Sequence, residues 1–263
     1  MADVKILVIE HERGTGPERF GKWLEEAGAE VVVVRPYLGE AIPDPDSAAR
    51  TSVAPVDDSA GAPGRFGDYA ALLVLGGAAG PLEDAANPWF PQVRDLLRRS
   101  AGGEFPSFNI CLGGELLAAA TDAPITRRER PQIGIYDLAT TSAGDADPVF
   151  AALSGTTIPA VLFHQEEMAL PDGAELLVTG SDAPVQGFRV GEVAWGTQFH
   201  PETDVAQIQR WLGSASLTLP EGKTWESIAE ELREADAELV EVGRALARSF
   251  VDFLRSRESR TAG

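Results

Sequence analysis

The chain has a single cysteine, Cys111, in 263 residues, which excludes an internal disulfide framework. Its three histidines (His11, His164 and His200) and that cysteine form no spaced ligand set, so the sequence predicts neither a metal nor a cofactor. Basic residues are also scarce. Lys and Arg total 22 against 41 Asp and Glu, a formal net charge of −19, which argues against a nucleic-acid partner. No apolar run is long enough to span a bilayer, and Met1-Ala2-Asp3-Val4-Lys5 lacks a secretory pattern. A cytoplasmic protein with no membrane partner is expected.

The 44% hydrophobic content suffices for one large core plus extensions. Lys5–Ile9 reads as a buried parallel strand, Pro17–Ala27 as an amphipathic helix closed by Gly28, and Val31–Val34 as the next strand. Ala70–Leu75 and Pro106–Ile110 continue the strands, with helices at Trp89–Ser100 and Gly113–Ala120. This alternation predicts an α/β fold with a doubly wound, mostly parallel sheet. From Gln132 to Phe199 the period turns towards two, in Ile133–Leu138, Glu175–Val178 and Val193–Phe199, predicting added antiparallel strands. Thr203–Leu212 reads as a helix, and Trp225–Arg255 as one long helix or a broken pair. An apolar stripe from Ile228 to Leu254 fits that tail to the domain or to a partner. The expected organisation is a domain over residues 1–215 and a C-terminal helical extension over 216–263. Within the domain, Gly39–Phe66 is rich in Pro, Asp, Ala, Ser and Gly and predicts a mobile, solvated loop, with a lid or docking role as the alternative.

Three features meet at the carboxyl edge of this sheet, where such folds bind ligands. Cys111 stands where the strand Phe108-Asn109-Ile110 runs into a helix, so the helix N-terminus should favour its thiolate. Val193–Phe199 delivers His200, with Glu202 two residues on. A thiol, an imidazole to take its proton and a carboxylate to fix the tautomer make a nucleophile triad. The strand at 70–75 ends in Gly76-Gly77, whose bare N–H groups could form an oxyanion hole from Gly77 and Leu112. Singly each has an ordinary explanation: a core cysteine, a loop histidine, a glycine turn. Their joint placement at strand ends points to a site.

Gly77, Ile110-Cys111-Leu112-Gly113 and Gln198-Phe199-His200-Pro201-Glu202 resemble the class I glutamine amidotransferases, especially the stand-alone type similar to the amidotransferase part of GMP synthase. The resemblance runs from Val4 to about Arg210. It implies a flavodoxin-like fold and hydrolysis of the glutamine side-chain amide through a γ-glutamyl thioester, with ammonia passed to a partner synthetase. Cys111 would be the nucleophile, His200 the base and acid, and Glu202 the orienter. Gly76, Gly113, Glu115, His164, Gln165 and Glu166 would line the substrate pocket.

Three departures from the family pattern fall near the substrate. Glu115 stands where a glutamine is usual, His164-Gln165-Glu166 replaces a His-Gly-Asp type segment, and Asn109 replaces a glycine two residues before the nucleophile. A carboxylate accepts hydrogen bonds but cannot donate them, so Glu115 favours an ammonium over an α-carboxylate unless it is protonated or paired with an arginine. Asn109 is expected to tolerate any unusual backbone angle there. His164 is expected to be a pocket wall, and His11 an exposed loop residue. A γ-glutamyl amine hydrolase or transferase is therefore an alternative. A non-catalytic binding domain on the same fold is a further one.

Overall fold

The computed structural model describes residues 4–45, 66–214 and 218–261. Among them, a nine-stranded sheet runs in the order β2-β1-β3-β4-β9-β8-β7-β5-β6. β1 (Val4–Ile9), β2 (Ala29–Val34), β3 (Ala71–Val74), β4 (Ser107–Ile110) and β9 (Ala194–Thr197) pair in parallel. β8 (Gly187–Val190), β7 (Glu175–Thr179), β5 (Ile125–Thr140) and β6 (Ile158–Met168) continue the sheet antiparallel. The strand expected at 193–199 is thus shared, parallel to β4 on one side and antiparallel to β8 on the other.

The central strands are apolar on both faces because helices cover both. Ile6, Val8 and Leu73 pack under α1 (Glu18–Glu26) and the C-terminal helices; Leu7, Ile9, Leu72 and Val74 pack under α2 (Phe90–Ala101) and α3 (Leu112–Ala120). A short α4 (Ser142–Ala146) follows β5, capped by the Thr141 hydroxyl. α5 (Val205–Ser214) follows β9.

The tail resolves into the broken pair. α6 (Trp225–Glu234) opens with a capping box between Thr224 and Ser227, and α7 (Asp236–Thr261) starts after Ala235 with acidic residues in its first turn. α7 buries Leu246, Phe250, Val251 and Leu254 in the same core as Phe20 and Trp23 of α1. α7 therefore packs against α1.

Of the Gly39–Phe66 segment, residues 46–65 lie outside the described residues, and with them the loop and lid expectations. Its flanks are anchored: Ile42 and Phe66 are buried, and Phe66 meets Phe105 edge-on at 4.9 Å. No helix among the described residues is long and apolar enough to cross a membrane.

Candidate active site

The turn from β4 into α3 holds Cys111 at φ 49°, ψ −109°, a left-handed conformation that a non-glycine residue adopts only when its surroundings enforce it. Two glycines provide that enforcement. A Cβ on Gly113 would lie 2.2 Å from the Val74 carbonyl oxygen, and one on Gly114 would lie 2.6 Å from that of Thr197. Only the pair Gly113-Gly114 lets the first turn of α3 press between β3 and β9, while Cys111 N–H is anchored on Thr197 O at 2.7 Å. Gly113 thus turns its Cα face to β3.

Asn109 plays a different part from the one expected. It lies within β4, buried, and its amide donates to Trp195 O at 2.7 Å and Ser107 Oγ at 3.0 Å. The unusual backbone angle falls on Cys111 instead, and Asn109 ties β4 to β9 just beneath it.

His200 arrives at the end of β9, its N–H bound to Val161 O at 2.9 Å. Its Nδ1 lies 2.7 Å from Glu202 Oε1, and both side chains are almost fully buried. A carboxylate accepts, so Nδ1 carries the proton and Nε2 is left as a basic lone pair. That Nε2 is buried without a hydrogen-bond partner among the described residues. The Trp211 ring of α5 packs on the imidazole, 4.8 Å between centroids, and is itself tied by Nε1–H to Gly14 O at 3.0 Å.

Gly76 brings Cys111 and His200 together. A Cβ placed there would lie 3.0 Å from His200 Cε1 and 3.6 Å from Cys111 Cβ, so the imidazole and the thiol-bearing carbon flank one glycine. Gly77 sits beside Leu112, whose Cδ2 would be 2.8 Å from an added Cβ. Leu112 N–H points at the cysteine sulfur and favours its ionised form.

The expected thiolate is nonetheless not the resting state. Burial, then the negative charges of Glu115 and Glu202, raise the Cys111 thiol well above its ordinary range, outweighing the Leu112 N–H. Ionisation has to come with a proton acceptor at hand.

Glu115, one helical turn beyond Cys111, is 3% exposed and accepts from Gln198 Nε2 at 2.9 Å; the same Nε2 is 3.8 Å from Cys111 Sγ. Burial, with a smaller contribution from Glu166, lifts the Glu115 carboxyl to about 7, against the Gln198 hydrogen bond that lowers it. Glu166 and Gln165 are held by Arg127, whose guanidinium pairs with the Glu166 carboxylate and donates to Gln165 Oε1 at 2.8 Å. The arginine near the pocket is therefore paired with Glu166, and Glu115 has an amide partner.

His164 has both ring nitrogens engaged, Nδ1 with Glu166 O at 2.6 Å and Nε2 with Gln132 Oε1 at 2.9 Å. Burial lowers it to about 4, so it is neutral at pH 7. His11 departs from expectation. It is buried, accepts from Trp89 Nε1 at 3.1 Å through Nδ1, packs edge-on against Phe90, and is lowered by burial to about 3. Its position under Gly77, 3.4 Å from an added Cβ there, explains the burial.

Sequence reasoning missed four participants: Gln198, Trp211, Arg127 and Glu12, whose carboxylate accepts from Ala78 N–H at 2.6 Å in the glycine loop. Gln198 had a signal, the two-residue spacing that puts it on the same side as His200. The others reach the site from distant segments.

A strained cysteine elbow at the carboxyl edge of a doubly wound sheet, facing a histidine–glutamate pair across a glycine, is the site of a class I amidotransferase fold. The family model for class-I glutamine amidotransferases matches residues 46–210, and the chain belongs to that family. It is 24% identical over 209 residues to the glutamine amidotransferase-like protein YfeJ of Salmonella typhimurium, covering 78% of this chain and 79% of that one. It is 30% identical over 137 residues to one subunit of the glutamine-hydrolyzing GMP synthase of Sulfurisphaera tokodaii, covering 51% of this chain and 68% of the relative. The crystal structure of a glutamine amidotransferase from Thermotoga maritima superposes with a TM-score of 0.75 at 22% identity, over 95% of this chain and 99% of that one.

Proposed function

We propose that the chain hydrolyses a side-chain carboxamide, glutamine foremost, through a thioester on Cys111. The observation that carries this reading is the His200–Glu202 contact at 2.7 Å, with His200 and Cys111 flanking Gly76. Substrate entry aligns the carbonyl carbon with Sγ. As the S–C bond forms, the thiol proton moves to His200 Nε2 and the carbonyl oxygen becomes an oxyanion, held by the N–H groups of Gly77 and Leu112. Glu202 stabilises the imidazolium through Nδ1–H. The C–N bond breaks as His200 protonates the leaving nitrogen, and ammonia departs. Water, deprotonated by His200, then opens the thioester to the free acid and the thiol.

Because burial and nearby carboxylates keep the resting thiol protonated, the reaction depends on this coupled transfer rather than on a standing thiolate. Gly76, His164, Gln165 and Glu166 shape the pocket around it, whereas Gly113, expected to line it, packs against β3. The kinship with a GMP synthase component supports ammonia delivery to a separate synthetase.

A second reading rests on Glu115 and Glu166. The charged side chains that act on the Cys111 sulfur are all carboxylates, Glu115, Glu202 and Glu166, a field that favours a γ-glutamyl amide carrying an added ammonium group. Glutamate release by the purified protein, from glutamine and from γ-glutamyl amines in parallel with Cys111→Ala as the blank, tests both. Release from glutamine alone supports the first reading and release from the amines alone the second. Release unaffected by Cys111→Ala sinks both.

A further inference from the structure

We infer that the C-terminal helix α7 is a positioning element for the catalytic turn His200-Pro201-Glu202, acting through Gly243 and Arg19. The inference rests on the reading of Cys111, His200 and Glu202 as the reacting set.

Two independent contacts carry it. The first is a close approach without room for a side chain. A Cβ on Gly243, early in α7, would lie 2.6 Å from Pro201 O and 2.2 Å from Trp23 Cζ3. The helix backbone therefore lies directly on the peptide that joins the base to its orienter. The carbonyl is main chain and cannot swing aside, so any larger residue must move either α7 or the turn.

The second contact is Arg19, which ties three segments. Its backbone N–H donates to Glu202 O at 3.3 Å, its Nη1 donates to Asp236 Oδ1 at 2.7 Å in the first turn of α7, and its Nε lies 3.7 Å from Asp204 Oδ2. The preceding residue, Glu18, is held at φ 41°, a conformation unfavourable to a glutamate, as α1 begins beside the turn.

Glu202 needs such support from outside. Its Oε1 is committed to His200, and among the described residues its buried Oε2 and the neighbouring Thr203 hydroxyl have no partner. The carboxylate is thus placed by its backbone rather than by a cage of side-chain donors, and the backbone is placed by α7 and Arg19. α7 lies beyond the residues matched by the family model.

The test uses the single cysteine, because thiol alkylation of this chain reads Cys111 alone. Gly243→Ala and Arg19→Met are compared with wild type and with Glu202→Gln as the benchmark for a lost orienter. Each is followed by the pH profile of iodoacetamide alkylation, by carboxamide hydrolysis and by thermal unfolding. The groups near the turn that titrate or carry charge, Cys111, Glu115, His164, Arg19, Asp204 and Asp236, are unchanged in Gly243→Ala.

The expected result for both variants is a kcat lowered by about ten- to a hundredfold with KM little changed, as for a ~1 Å misplacement of a catalytic group. Alkylation near neutral pH should slow, because the base accepts the thiol proton less well, and the profile should approach that of Glu202→Gln. Arg19→Lys, which keeps the charge, should fall between. Folded variants that lose thermal stability but keep the wild-type alkylation profile and kcat overturn the inference. A wild-type thiol that alkylates like free cysteine, with no limb lost in Glu202→Gln, overturns the triad reading and this inference with it.

Discussion

Replacing Glu115 by glutamine isolates the cost of burying one carboxyl group beside Cys111. The glutamine keeps the oxygen that accepts from Gln198 Nε2 at 2.9 Å, so geometry and volume are nearly conserved and only the titrating proton is lost. In the folded protein the Glu115 carboxyl is raised from 4.5 to about 7, by burial first and by the charge of Glu166 next. Between those values the folded chain holds a proton that the unfolded chain releases, so the contribution of Glu115 to stability is full below pH 4.5 and is lost as pH rises through 7. At ~1.4 kcal/mol per unit the loss reaches about 3 kcal/mol. We therefore expect Glu115→Gln to match wild type near pH 4.5 and to be more stable by about 3 kcal/mol at pH 8, or roughly 6–12 °C in Tm for a chain of this size. His11 and His164, depressed to about 3 and 4, weaken the fold as pH falls below 6.5, but they are present in both proteins and cancel in the difference. Urea or thermal unfolding at pH 4.5, 6 and 8 measures it. A stability difference that stays constant across these pH values would falsify the argument. The same substitution removes one of the charges raising the Cys111 thiol, so alkylation at neutral pH should quicken.

Glu202→Gln should lower kcat by about 10²–10⁴ with a folded protein, because the amide no longer stabilises the imidazolium; steady-state kinetics with unfolding as a control checks this. Gly113→Ala should destabilise the fold by about 1–3 kcal/mol or more, since its methyl would meet the Val74 carbonyl. Gly77→Ala should cost far less, as only the mobile end of Leu112 must move. Trp89→Phe should cost about 1–3 kcal/mol by stripping the buried His11 Nδ1 of its donor, read by denaturant unfolding at pH 7.5. His11→Gln should flatten the loss of stability between pH 6.5 and pH 4, because the wild-type ring is buried neutral while the unfolded chain gains a proton there.

The parallel half of the sheet is legible because strands buried on both faces read as unbroken apolar runs, as in Lys5–Ile9 and Ala70–Leu75. The antiparallel half is legible only in part. β6 and β8 leave no clear trace, since Pro159, His164 and Gln165 interrupt the one and Gly187 and Arg189 dilute the other. Cys111, His200 and Glu202 stand out because strand ends announce them, and the glycines beside them because only close approach explains so many together. The state of the thiol does not, because it depends on how deeply three carboxylates and the sulfur are buried, which no spacing records. His11 is misread for the same reason: a loop residue by sequence, it is covered by Trp89 and Phe90 from another segment.

The contact between Gly243 and Pro201 sets an order of events during synthesis. Cys111, His200 and Glu202 are all synthesised before the helix that rests on their turn, whose Gly243 follows Glu202 by about forty residues. Until α7 arrives, Trp23 and the Pro201 carbonyl face an open apolar groove on α1. A nascent chain can thus hold Cys111, His200 and Glu202 and still lack the seat of their turn, and α7 closes that groove.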